Sequence, residues 1–115
     1  MEDKTAVDVL REARELIAKP GGWTQGVFAR TSEGKACPWQ ASTASCFCAL
    51  GAVERASAAG NRWHTRNQAT DILRSEGIGN IAESISLWND APHRTQADVI
   101  AAFDAAITKA TKDPS

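Results

Sequence analysis

The sequence predicts a mainly α-helical domain of about five helices, with a short β-hairpin after the first. Three observations carry that expectation. Apolar residues recur at spacings of three and four along several segments, as on one face of a helix. Hydroxyl or amide residues followed three positions later by Asp, Glu or Gln stand where those stripes begin. Strand-like patterning is confined to a short stretch around Thr31–Gly34.

The first stripe is Ala6, Val9, Leu10, Ala13, Leu16 and Ile17, on a helix of roughly fifteen residues. Thr5 with Asp8 forms its capping pair, and Lys19-Pro20-Gly21-Gly22 stops it. Val27-Phe28-Ala29-Arg30 and Lys35-Ala36-Cys37 then flank Thr31-Ser32-Glu33-Gly34, a turn that closes a hairpin. Helical character is expected to return at Ser45, with Phe47, Leu50 and Val53 among small residues, and to end at Gly60-Asn61. Thr65 and Gln68 are a second capping pair, before Ala69, Ile72 and Leu73 and a stop at Gly77. Asn80 with Glu83 starts a shorter helix that carries Ile81, Ile85 and Trp88 on one face. Thr95 starts the last helix, whose stripe is Val99, Ile100, Phe103, Ala106 and Ile107. Asp98 in its first turn and Lys109 and Lys112 near its end suit the helix dipole. A frayed tail is expected from about residue 111 to 115.

Composition narrows the class of protein. The chain has 115 residues, enough for one core and too few for two, so one domain spanning 1–115 is expected. It is 43% hydrophobic and 23% charged, as a folded globular chain is. The formal net charge of -1 supplies no global field towards nucleic acid or an anionic membrane. No apolar run is long enough for a membrane span, and the charged start Met1-Glu2-Asp3-Lys4 is not expected to be a signal peptide. Three cysteines, an odd number, read most simply as reduced thiols in a cytoplasm.

No cofactor and no metal site is expected. Cys37, Cys46, Cys48 and His64 are the candidate ligands, but no pair has the spacing of a zinc knuckle. Cys48, near a helix start, is the candidate nucleophile for a cysteine-dependent hydrolase or transferase, since helix N–H groups lower a thiol pKa and can form an oxyanion hole. His64 or His93 would then be the base, oriented by Asn89 or Asp90. The neighbouring residues match no such enzyme's signature. Arg55, Arg62, Trp63, His64, Arg66, Asn67 and Arg74 concentrate cations around one turn with an aromatic available for stacking. Glu54, Asp71 and Glu76 dilute that charge, so a nucleic-acid partner is not favoured.

The densest remaining segments are Gly21-Gly22-Trp23-Thr24-Gln25-Gly26 and Trp88-Asn89-Asp90-Ala91-Pro92-His93. Each suits a structural role: tryptophan anchoring a loop, Asn89 adopting a left-handed cap, Asp90 capping the next helix. The functional expectation is that the two loops lie side by side and form a binding site. Trp23 and Trp88 would make an apolar floor, with Gln25, Asn89, Asp90 and His93 offering polar contacts at its rim.

The order Gly22-Trp23-Thr24-Gln25-Gly26, Cys48-Ala49-Leu50-Gly51-Ala52, then Trp88-Asn89-Asp90 with Arg94-Thr95 and Val99, resembles a small bacterial and phage domain family of unknown function. The resemblance runs from about Val9 to Ile107. It implies a stand-alone domain of bacterial or phage origin and imports no activity. Cys46 is an additional thiol outside the pattern. The favoured expectation is a non-catalytic binding or accessory protein, whose partner is a protein or a small molecule.

Overall fold

The computed structural model describes residues 4–58 and 63–112. Five helices and a three-stranded antiparallel sheet are present among them. Helix α1 (Ala6–Ala18) starts at the expected capping box: the Asp8 N–H donates to the Thr5 hydroxyl and the Thr5 N–H to the Asp8 carboxylate. Gln96 closes its other end, donating from Nε2 to the carbonyls of Ile17 (2.7 Å) and Lys19 (3.1 Å). Those carbonyls have no partner within the helix, so a side chain from far along the chain satisfies them.

Strands β1 (Ala29–Thr31) and β2 (Ala36–Cys37) form the expected hairpin, with Ala29 opposite Cys37. The positive φ of Gly34, +86°, permits its turn. A third strand, β3 (Ala44–Phe47), pairs with the other edge of β1, giving the order β2-β1-β3. This corrects the expectation of helix from Ser45. A short run of apolar residues fits either state, and here the free edge of β1 supplies a ladder. On its far side β3 meets the loop after α1. The Phe47 N–H donates to the Gly22 carbonyl (2.9 Å), and the Thr24 N–H donates to the Phe47 carbonyl (3.1 Å).

Helix α2 (Ala49–Ala56) therefore begins four residues later than expected, with Cys48 as its N-cap. Its expected end at Gly60-Asn61 lies outside the described residues; the helix itself stops at Ala56. Helix α3 (Trp63–Ile72) starts ahead of Thr65, so the Thr65/Gln68 pair lies inside the helix and does not cap it. Nor does Gly77 stop it. The chain winds on as a π-helix over Leu73–Ile78 and ends at Gly79, in the left-handed conformation (φ 84°). A Cβ on Gly77 would lie 2.4 Å from the Ala102 carbonyl oxygen, so this glycine serves a close helix approach.

Helix α4 is also shorter than expected. It spans Ile85–Asn89 and is capped by Ser84, whose hydroxyl accepts the Leu87 N–H (3.2 Å). Asn80 instead folds back on the Ala82 N–H, and Ile81, expected on the buried face, is 55% exposed. Helix α5 (Gln96–Lys112) starts at the expected Thr95/Asp98 box and continues through residues 111 and 112, which were expected to fray; 113–115 lie outside the described residues.

The core lies where α1, α2, α5 and the π-helical turn meet. Val9, Leu10, Ile17, Val53, Leu73, Val99 and Phe103 are fully enclosed there. Alanines at 13, 49, 52, 56, 69, 102 and 106 let the helix backbones approach between those larger groups. No helix among the described residues is long and apolar enough to cross a membrane.

Candidate functional site

Three segments distant in sequence meet at one side chain. Asn89, the last residue of α4, is completely buried. Its Oδ1 accepts the Trp23 indole N–H (2.7 Å) and the Ala49 backbone N–H (2.9 Å). Its Nδ2 donates to the Thr24 carbonyl (3.1 Å) and to Asp90 Oδ1 (3.0 Å). Two acceptor and two donor positions are the whole capacity of a primary amide, and all four are used. The Ala49 N–H belongs to the first turn of α2, so Asn89 caps a helix other than its own.

Neighbouring residues tighten the junction. Gln25 Nε2 donates to the carbonyls of Asn89 and Ala91, both at 2.9 Å, and the Gly26 N–H donates to Asp90 Oδ1 (2.9 Å). The loop after α1 and the turn before α5 thus lie side by side. Asn89 itself stays in the helix, and α4 ends at Asp90 with φ −90°. That corrects the expectation of a left-handed Asn89 cap. The helix after it is capped by Thr95 and Asp98, while Asp90, expected to help, instead accepts from the Gly26 N–H and the Asn89 amide.

The Cys-x-x-Gly-Ala segment completes the arrangement. The Cys48 sulfur accepts the Gly51 N–H at 3.2 Å. Gly51 must lack a side chain, because a Cβ there would lie 2.2 Å from the Phe28 carbonyl oxygen. The Cys48 N–H donates to that same carbonyl at 3.1 Å. These contacts seat the start of α2 on the chain just before β1.

A cavity of about 450 Å³ opens beside this junction. Gly26, Val27 and Phe28 form one wall and Ala36 and Cys37 of β2 another. Cys48 also lines it, and Ser86 of α4 with Asp90, the residue that caps α4, supplies polar groups. Of the six residues expected to form a site, Asp90 lines this cavity. Trp23, Gln25 and Asn89 stand behind it, bonded to one another and to the backbone. Trp88 is half-buried, with the Arg94 guanidinium stacked 4.1 Å from its ring centroid and donating to its carbonyl (2.9 Å). His93 is exposed. The wall residues Val27, Phe28, Ala36 and Ser86 carry no chemical signature that sequence reasoning reads; the 45% exposure of Phe28 is a structural fact alone.

Burial pushes the Cys48 thiol above its ordinary pKa, and the Asp90 charge adds to that. The N–H groups of Gly51 and Leu50 pull the other way. The lowering expected from the helix start is therefore outweighed by desolvation. Neither histidine lines the cavity; His64 instead stacks on Trp63, ring centroids 3.8 Å apart. The three cysteines are free thiols, and no group of three metal-ligating side chains converges among the described residues.

The basic cluster is largely paired. Arg66 grips Glu54 through Nε and Nη2, both at 3.0 Å, and Arg74 pairs with Asp71. Arg55 donates to the carbonyls of Trp39 and Ala41, each at 2.8 Å. Arg62 lies outside the described residues.

A small helical fold with a three-stranded sheet, its three densest sequence segments joined at one buried asparagine, defines the class. A family of unknown function, DUF6197, matches residues 1–109, and the chain belongs to it. No curated protein and no solved structure matches the chain.

Proposed function

We propose that this protein is a small non-catalytic binding module, an accessory protein that holds a ligand in the cavity between Phe28 and Asp90. One observation supports the reading above others: a cavity of about 450 Å³ with mostly apolar walls and a few polar groups at one side. Ligand sites commonly have about 300–1,000 Å³ and that composition. In this reading Trp23, Gln25 and Asn89 act from behind, holding Asp90 and the Gly26–Phe28 wall in place, while Asp90 meets the ligand. Trp88 and His93 flank the same turn, and the partner is a small molecule. A cytoplasmic location suits the three free thiols, and a bacterial or phage setting is what the motif resemblance implies.

A cysteine-dependent hydrolase or transferase at Cys48 draws no support from this geometry, because burial raises its thiol pKa and no histidine lines the cavity. Nucleic-acid binding through the arginine cluster is weakened by the pairing with Glu54 and Asp71. A fragment screen read by amide chemical shifts tests the binding reading. Hits should move the amides of Gly26, Val27, Phe28, Cys37, Ser86 and Asp90 together. Shifts scattered over the surface, or confined to α3, would reject it.

A further inference from the structure

We infer that the cavity takes a small apolar amine, with its ammonium on Asp90 and its hydrocarbon body against Val27, Phe28 and Ala36. This rests on the reading of the cavity as a ligand site and names what that site selects. Among the described residues lining it, Asp90 is the one acidic or basic side chain, and it has no ion-pair partner among the described residues. Its Oδ1 is pinned by two donors, the Gly26 N–H at 2.9 Å and the Asn89 amide at 3.0 Å. Oδ2 receives no hydrogen bond from any described residue. Asn89, buried and saturated, fixes the carboxylate from behind. The result is an oriented, exposed acceptor at the edge of a largely apolar cavity that Ser86, one helical turn earlier, also lines.

These groups select the chemistry of the ligand's head. An anionic ligand meets an unpaired carboxylate and is repelled. A neutral ligand offers the exposed Asp90 carboxylate only an uncharged hydrogen bond, weaker than a charge-assisted one. A guanidinium favours two parallel bonds to both carboxylate oxygens, and Oδ1 already serves two donors. An ammonium is a compact charge with three donors, so it needs Oδ2 alone and keeps its other N–H groups for water or a further acceptor.

Binding of 2-phenylethylamine and hexylamine, titrated by amide shifts and calorimetry, tests this against the alcohol, carboxylate and guanidine with the same hydrocarbon bodies. The amines should bind at the cavity amides at least about tenfold tighter than each counterpart, a difference of about 1.4 kcal/mol. Asp90→Asn keeps an oxygen for the Gly26 N–H and should erase the preference for the amine over the alcohol. Alcohols binding as tightly as amines, or carboxylates binding better, would overturn the amine assignment while leaving the cavity as a ligand site. If no compound of any head group moves those amides, and filling the chamber by Val27→Trp changes nothing, both readings fall. The head-group comparison on the unaltered protein stands even if Asp90→Asn is too unstable to study.

Discussion

Replacing Asn89 by alanine is the most searching perturbation of this fold. Asn89→Ala removes the amide that accepts from the Trp23 indole (2.7 Å) and the Ala49 N–H (2.9 Å) and donates to the Thr24 carbonyl (3.1 Å). Asp90 loses one donor and keeps the Gly26 N–H. A buried donor left without a partner costs about 1–3 kcal/mol, and two are created here. That gives about 2–6 kcal/mol, with water entering the vacated space drawing the value down. The expected loss is about 3–4 kcal/mol, a large part of a typical stability of about 5–15 kcal/mol. Urea unfolding followed by helical circular dichroism reads it directly. At a slope of about 1–3 kcal/mol per M, the midpoint should fall by about 1–4 M. Trp23→Phe, which removes one donor and keeps most of the aromatic bulk, should lose less, and the two changes should be coupled by about 0.5–3 kcal/mol. A loss below about 1 kcal/mol for Asn89→Ala, or simple additivity with Trp23→Phe, would refute the view that this amide binds the three segments together.

Other substitutions probe the core, the α2 junction and the two titrating groups. Phe103→Ala, at a fully enclosed ring, should cost about 3–5 kcal/mol in the same urea assay, and a variant as stable as the parent would contradict that enclosure. Gly51→Ala would put a Cβ 2.2 Å from the Phe28 carbonyl oxygen, so a loss of about 3 kcal/mol or more and shifted amides near Phe28 are expected. Cys48, its thiol pushed up by burial, should react with iodoacetamide at neutral pH more slowly than a free thiol. Its contribution to stability is complete below the unfolded thiol value of about 8.5 and declines as pH rises from there towards the higher folded value, a slope that Cys48→Ala should flatten. The backbone N–H of Thr5 holds the Asp8 carboxyl below its ordinary pKa, so the stabilisation is present above about pH 3.9 and is lost as pH falls through the lower folded value. Thr5→Ala should cost about 0.5–2 kcal/mol at neutral pH and reduce that acid dependence.

How legible each element was depended on whether its cause is local. Helices α1 and α5 carry their stripe and their capping box within the sequence, and both were readable to within a residue or two at the start. The hairpin was readable because its turn glycine is local too. Strand β3 was not, since Ser45-Cys46-Phe47 becomes a strand through its partner β1 and the Gly22–Thr24 loop. Gly77 resembles a stop because a glycine needed for close approach to Ala102 and a glycine needed for a left-handed cap are the same letter. The junction shows the same limit. The Trp88-Asn89-Asp90 segment stands out as dense, but the partners of Asn89 lie 66, 65 and 40 residues away. Its saturation, and so its placement behind the cavity, is written in those distances. The cavity wall at Val27, Phe28 and Ala36 has no local cause to read.

The packing of α1 on α5 has a consequence for synthesis. Helix α1 is made before α5, yet its buried residues share one core with Val99, Phe103 and Ala106 of that helix. At about 5–20 residues per second, the stretch between Ala18 and Gln96 takes roughly 4–16 s to make. During that interval α1 is an amphipathic segment with part of its oily side uncovered, the kind of surface to which chaperones are drawn. The seam between α1 and α5 thus stays open until α5 is made, and Gln96, which seals the carbonyl end of α1, arrives with it.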